Sequence, residues 1–227
     1  MNTSILIYLV SLVTLSILYS LSRGAAKNKS DKIVDALYRG GKQSLLLKKQ
    51  LFGIAALSVP VVLYFSFHNA ALKLFTLERF EPWIYFWIMV LTACIYLSSK
   101  ATGKELKKLK ENNIITNRVQ IAAYFTGRVI FLFLYELFFR AVLLFSLAAV
   151  AGNLFSILVN VGCYVALHAH CKKNELVATV PFGFVICLLC LAANSIWPAI
   201  VLHLLIAITA ESMIIFSIKK TFKLYIA

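Results

Sequence analysis

The chain has 227 residues, of which 61% are hydrophobic and 14% charged, and its mean hydropathy is +0.86. These values exclude a soluble globular protein and indicate an integral membrane protein. The net charge of +14 would suit a nucleic-acid ligand, but the placement of the basic residues along the chain follows membrane topology instead, so no nucleic-acid partner is expected.

Seven stretches of about 20 apolar residues are long enough to cross a bilayer as helices. The sequence shows neither an internal repeat nor a low-complexity tract, so we expect one membrane domain over residues 1–227. The predicted fold class is all-α, a polytopic bundle of about seven transmembrane helices. The predicted spans are residues 4–22, 50–67, 82–99, 122–149, 154–171, 176–194 and 196–218.

The basic residues predict the orientation of these spans. Most of the 23 Lys and Arg residues follow the first, third, fifth and seventh spans. The connections after the second, fourth and sixth spans hold only Lys73 and Arg79. Because Lys and Arg concentrate in cytoplasmic loops, this alternation predicts an external N-terminus and a cytoplasmic C-terminus. We therefore expect a multi-pass protein embedded in the lipid bilayer.

The fourth span carries a carboxylate and a guanidinium four residues apart, in the segment Tyr135-Glu-Leu-Phe-Phe-Arg140. Each such group costs roughly 2.5–3.5 kcal/mol at the bilayer centre on insertion scales. Residues i and i+4 share one face of a helix, so Glu136 and Arg140 can pair. Two interpretations remain open: an ion pair that fixes helix packing, or part of a functional site. Arg128, eight residues before Glu136, is assigned to the cytoplasmic end of the helix.

Three of the four histidines fall in or beside later spans: His168 and His170 in the fifth, and His203 in the seventh. A lone histidine in a membrane usually bonds one helix to another. Two on different spans, with a carboxylate on a third, can hold and deprotonate a water. They could equally bind a metal. We expect no zinc, because residues two apart on a helix point about 200° away from each other.

The five cysteines are odd in number and lie in or beside spans, so they do not indicate a disulfide framework. Cys187 and Cys190 have C-x-x-C spacing within an apolar run. We interpret them as packing residues.

The motifs of spans four to seven, taken in order, resemble those of the CPBP family. This family comprises type II CAAX prenyl proteases and bacteriocin-processing or immunity proteins, also called Abi proteins. Its members typically carry Glu-Glu-x-x-x-Arg, then Phe-x-x-x-His, then His-x-x-x-Asn or Asp. The resemblance covers about residues 130–210 and includes the sequence Ser195-Ile-Trp-Pro-Ala-Ile-Val-Leu-His203. It implies an intramembrane glutamic-type peptidase without a cofactor, in a bacterial cytoplasmic (plasma) membrane.

The resemblance also implies roles for four residues. Carried over position by position, Glu136 and His168 activate a water molecule. Arg140 orients Glu136, and His203 stabilises the oxyanion. Counted from the predicted span ends, His168 lies near the cytoplasmic face and His203 nearer the outside. A common site therefore requires tilted helices or a deep cavity.

The chain departs from the family pattern at three positions. Tyr135 stands where the first Glu is expected, Tyr164 replaces Phe, and Ala207 replaces the final Asn. A tyrosine phenol is protonated near neutral pH and is not a general base there. Ala207 offers no hydrogen-bond donor, and the loss of one oxyanion donor typically costs about 10²–10³ in rate.

The leading prediction is an endopeptidase that hydrolyses a peptide bond in a membrane-associated protein or peptide. The resemblance implies prenylated C-terminal tails, leader peptides or membrane-bound regulators as substrates. The alternative is a catalytically inactive relative that acts as a binding, immunity or scaffold protein, which Tyr135 and Ala207 favour. A small transporter that uses Glu136 and the histidines as a proton relay would also explain the buried charge.

Overall fold

The computed structural model describes residues 3–27, 43–76, 83–106, 118–171 and 173–226. Every regular element in these ranges is helical, which confirms the predicted all-α class. The long apolar runs account for this, because in lipid a helix satisfies its backbone hydrogen-bonding groups within one segment.

Eight α-helices, a 3₁₀ segment and a π segment follow one another along the described residues. The α-helices are α1 (Thr3–Lys27), α2 (Gln43–Phe67), α3 (Ile84–Leu106), α4 (Arg118–Glu136), α5 (Ser146–Ala151), α6 (Asn153–Leu167), α7 (Lys173–Ala193) and α8 (Trp197–Ile226). The 3₁₀ segment (Asn69–Phe75) follows α2, and the π segment (Leu137–Phe145) joins α4 directly to α5.

Six helical stretches of the described chain are long and apolar enough to cross a membrane, which confirms the polytopic bundle. The helix found at the predicted span 154–171 is shorter than expected. Its helix, α6, has 15 residues, and at 1.5 Å per residue it extends about 22 Å, less than the hydrocarbon core of about 30 Å. The helix ends one residue before His168, and the chain turns there.

The π segment lies at the centre of the bundle. Its residues from Leu137 to Leu144 are all buried, and it packs against α2, α6 and α7. Phe138 and Phe139 belong to a hydrophobic cluster with α1, α2 and α8, whereas Leu144 belongs to a second cluster with α6, α7 and α8. Arg140 is the one charged residue of this segment, so its side chain is surrounded by the core.

The start of α8 is attached to the 3₁₀ segment. The backbone N–H of Ile196 donates to the carbonyl of Leu74 at 3.0 Å, and Nε1 of Trp197 donates to the carbonyl of Phe75 at 2.8 Å. The Ser195 hydroxyl also donates to the carbonyl of Leu74, at 3.2 Å. The Ser-Ile-Trp sequence therefore has a structural role, since it fixes the start of the helix that carries His203.

The connections 28–42, 77–82 and 107–117 lie outside the described residues. They hold many of the basic residues from which the orientation was predicted. The external N-terminus, the cytoplasmic C-terminus and the single domain over residues 1–227 therefore remain predictions.

Candidate functional site

Glu136 is the last residue of α4 and lies next to the central π segment. Only 1% of its surface is exposed, and both carboxylate oxygens have partners. Oε2 accepts a hydrogen bond from Nε of Arg140 at 2.8 Å, and Oε1 lies 2.5 Å from Nδ1 of His203. The predicted pair with Arg140 is present, and α8 contributes a third member.

Arg140 extends this network to α6 and α7. Its Nη1 donates to Oδ1 of Asn160 at 2.7 Å and to Sγ of Cys187 at 3.1 Å. Asn160 in turn donates from Nδ2 to the carbonyl of Phe139, within the π segment, at 2.5 Å. Arg140 and Asn160 are fully buried. The positive charge is thus compensated by one carboxylate and held in place by two neutral acceptors.

The contact with Glu136 determines how His203 is oriented. An ionised carboxylate can only accept hydrogen bonds, so Nδ1 of His203 is the donor. The lone pair of a neutral imidazole then resides on Nε2, the nitrogen that points away from Glu136. The ring of His203 also meets the ring of Tyr135 edge-on, with centroids 5.9 Å apart. A carboxylate in this position can orient a histidine and determine its tautomer.

His168 is oriented by the backbone of α6. Its Nδ1 lies 2.9 Å from the carbonyl oxygen of Tyr164, one turn earlier. A carbonyl only accepts, so Nδ1 donates here too. The ring packs on that of Tyr164, with centroids 4.5 Å apart. The Tyr-x-x-x-His spacing thus sets both the hydrogen bond and the ring contact of His168.

A cavity of about 250 Å³ brings the two histidines together. His168, His203 and Tyr135 all line it, so the difference in nominal depth does not keep the histidines apart. Within the described part of the chain, the remaining wall consists of six apolar and four polar residues. The apolar residues are Leu18, Leu21, Leu46, Phe131, Leu132 and Leu167, and the polar residues are Ser22, Lys49, Gln50 and Arg128.

Glu136 and Arg140 are not among the described residues that line this cavity. Glu136 reaches it only through His203, because its own oxygens are occupied by Arg140 and His203. The geometry therefore favours a positioning role for Glu136. Direct activation of water by this carboxylate remains a prediction.

Several residues of the site were not found from the sequence. Asn160 and Cys187 both contact Arg140. An Asn in the middle of the apolar α6 was a usable signal, whereas a buried Cys is an ordinary packing residue. Arg128 was assigned to a helix end, but its Nε donates to Glu211 of α8 at 3.0 Å and its side chain lines the cavity.

The histidines were the candidate ligands for a metal ion. Within the described part of the chain, no group of three or more His, Cys, Asp or Glu side chains could hold a metal ion. His170, which follows His168 by two residues, packs against the ring of Tyr19 at 5.1 Å between centroids. The absence of a cofactor remains a prediction.

The comparison with protein families bears on the same part of the molecule. Residues 116–209 match the family model described as type II CAAX prenyl endopeptidase Rce1-like. The match covers nearly all of the segment 130–210 that carries the motifs, and it confirms the predicted resemblance to the CPBP family. No curated protein and no solved structure matches the chain. Together with the six helical stretches of the described chain that are long and apolar enough to cross a membrane, the match supports an integral membrane protein that is similar to CAAX-type proteases.

Proposed function

From the match of residues 116–209 to the Rce1-like endopeptidase family, we propose that this protein hydrolyses a peptide bond in a membrane-associated protein or peptide. The substrate enters the cavity of α1, α2, α4 and α8 from the bilayer or its surface. A bacterial cytoplasmic membrane remains the predicted location.

The observation that carries the proposal is the shared cavity of His168 and His203, with Glu136 hydrogen-bonded behind His203. The two histidines are distant in sequence: His203 lies in α8, and His168 directly follows the end of α6. Their side chains nevertheless line one small cavity whose other walls are mostly apolar. A base must reach its proton directly or through one water, and the lining of one small cavity by both histidines supports such a role.

The contacts suggest a distribution of roles that differs from the family pattern. Nε2 of His203 acts as the general base toward a water in the cavity. Glu136 holds the tautomer of His203 and stabilises the imidazolium that forms, as a carboxylate does behind a catalytic histidine. Arg140 keeps Glu136 in place, at 2.8 Å. His168 orients the water from the other side.

One observation favours the alternative of a catalytically inactive binding or immunity protein. The family's first Glu is Tyr135 here, and the remaining carboxylate, Glu136, is 1% exposed and engaged at both oxygens. A cavity without a carboxylate can still bind an extended membrane peptide. Peptide hydrolysis predicts that removal of the His203 imidazole changes the peptides of the cell, whereas the binding function predicts no change in cleavage products.

The test compares membrane and secreted peptides, by mass spectrometry, of cells that carry the intact protein or a His203→Gln, His168→Gln or Glu136→Gln variant at matched expression. We expect specific cleavage products to vanish with His203→Gln and to fall strongly with the other two. The control is His68→Gln, because Nδ1 of His68 also bonds a tyrosine carbonyl one turn earlier, at 3.2 Å, and His68 does not line the cavity.

Identical peptide profiles for the intact protein and His203→Gln would contradict the proposed hydrolysis. If deletion of the whole protein still changes the cells in that case, the binding function replaces it.

A further inference from the structure

Tyr135 lines the same cavity as His168 and His203, and aromatic rings pack against it on several sides. Its ring stacks on Phe139 with centroids 4.5 Å apart. It also meets Tyr164 at 6.2 Å and His203 at 5.9 Å, both edge-on. The residue is 6% exposed. This packing fixes the direction of the ring and therefore the position of its hydroxyl.

The hydroxyl of Tyr135 is buried and has no hydrogen-bond partner among the described residues. Burying a hydroxyl without a partner destabilises a folded protein, and phenylalanine would fill the same apolar slot without that cost. Such groups in native structures call for an explanation, and a catalytic role is one. Oε1 of Gln50 is a second unpaired atom of the cavity wall, but Tyr135 is the one whose ring touches His203.

We propose that Tyr135 is a catalytic residue that donates a hydrogen bond to the oxyanion formed during peptide hydrolysis. This inference rests on the proposed function. The family pattern has a Glu at this position, and its carboxylate accepts protons, whereas the hydroxyl of Tyr135 acts as a hydrogen-bond donor. The hydroxyl donates, and its proton stays on the phenol throughout.

The reaction then proceeds in two steps. In the first, a water proton passes to Nε2 of His203, the water oxygen bonds to the carbonyl carbon, and the π pair of the carbonyl moves to its oxygen. In the second, that pair re-forms the carbonyl and the C–N bond breaks. Its electrons go to the amine nitrogen, which takes the proton from His203. One water is consumed, and a carboxylic acid and an amine are released.

Two of the three departures from the family pattern, Tyr135 and Ala207, account for each other in this arrangement. Ala207, which is 9% exposed and lies one turn after His203, cannot donate to an oxyanion. Tyr135 supplies the donor that Ala207 lacks. His203, oriented by Glu136 at 2.5 Å, supplies the base that Tyr135 cannot be. Tyrosine hydroxyls serve as oxyanion donors when they are fixed in water-excluded sites.

The experiment measures the initial rate at which His203-dependent cleavage products appear after induction in cells that carry the intact protein, Tyr135→Phe or Tyr64→Phe. The probe is the cell's own pool of membrane peptides. Tyr64→Phe is the matched control, because Tyr64 is 7% exposed and does not line the cavity. Thermal unfolding of each detergent-solubilised protein is recorded in parallel.

We expect Tyr135→Phe to lower the initial rate about 10²- to 10³-fold, as for the loss of one oxyanion donor, while its Tm stays equal to or above that of the intact protein. Tyr64→Phe keeps the intact rate. An intact rate for Tyr135→Phe overturns the inference alone. So does a loss of rate accompanied by a lower Tm, which would indicate a structural role. If the intact protein yields no His203-dependent products, the inference and the proposed function fail together.

Discussion

The contacts of Glu136 fit both of the interpretations that the sequence left open. A carboxylate with 1% exposure needs compensation, and it receives it from Arg140 at 2.8 Å and His203 at 2.5 Å. The first contact fixes the helix core, and the second orients a histidine that lines the cavity. The structural and the functional interpretations of Glu136 and Arg140 are therefore compatible.

At the residue scale, loss of the Arg140 guanidinium should lower the free energy of unfolding more than loss of the Arg128 guanidinium. Arg140→Met leaves Glu136 buried with one partner fewer, which we expect to lower the free energy of unfolding by about 3–5 kcal/mol. Denaturant titration in detergent measures the change. The control is Arg128→Met, because the Arg128 side chain is 29% exposed, so its loss should cost less than the loss of the fully buried Arg140. Equal losses for the two variants would contradict this account.

His68 and His168 each hydrogen-bond a tyrosine carbonyl one turn earlier, and this similarity allows a second prediction at this scale. His168→Gln should lower the rate of peptide cleavage about 10²-fold, because the water loses the group that orients it, and a misplacement of about 1 Å can cost that much. His68→Gln should leave the rate unchanged, although both lose the same kind of local contact. The rate of product formation in membrane vesicles that contain each variant decides the matter. A similar decline in both would indicate a general effect on folding.

At the element scale, the π segment is the feature that organises the site. A π turn carries an extra residue compared with an α turn, and such turns often occur at functional sites. Here the segment is surrounded by α2, α6 and α7 and carries Arg140 into the core. Asn160 of α6 bonds both to Arg140 and to the carbonyl of Phe139 in this segment. One amide thus connects the helix that precedes His168 with the segment that follows Glu136.

The prediction for this connection is that Asn160→Ala destabilises the bundle by about 1–3 kcal/mol, since it leaves buried partners unsatisfied. It should also lower cleavage, because Arg140 loses a contact. Thermal unfolding and cleavage rate are measured together. Ser156→Ala is the control on the same helix: Ser156 is equally buried, but its hydroxyl donates to the local carbonyl of Asn153 at 2.8 Å. A larger loss for Ser156→Ala than for Asn160→Ala would contradict the connecting role.

At the scale of the whole molecule, the bundle combines six helical stretches of crossing length with the shorter α6 in its described part. The basic connections predict opposite sides of the membrane for the two termini. The cavity is lined by residues of α1 and α2 as well as α4 and α8. The amino-terminal helices, which lie outside the family match at residues 116–209, thus contribute a wall of the candidate site.

The orientation can be tested with reporter fusions. A fluorescent protein fused after Ala227 should fold and fluoresce, because we expect this end to be cytoplasmic. An alkaline phosphatase fused after Thr76 should be active, because the connection after α2 holds few basic residues and is predicted to be external. Phosphatase activity from a fusion after Leu106, in the basic connection, would contradict the predicted orientation.

From the sequence alone we predicted the class of the molecule, most of its helices and the candidate residues Glu136, Arg140, His168 and His203. Long apolar runs permit few structures in lipid, and charged or imidazole side chains within them stand out because they are costly there. Which of these residues contact one another depends on how the helices pack. The pairing of His203 with Glu136, the partners of Arg140 on α6 and α7 and the position of Tyr135 in the cavity wall depend on contacts between helices distant in the chain. The periodicity of one helix specifies which face a residue occupies, but it does not specify which neighbour that face will meet.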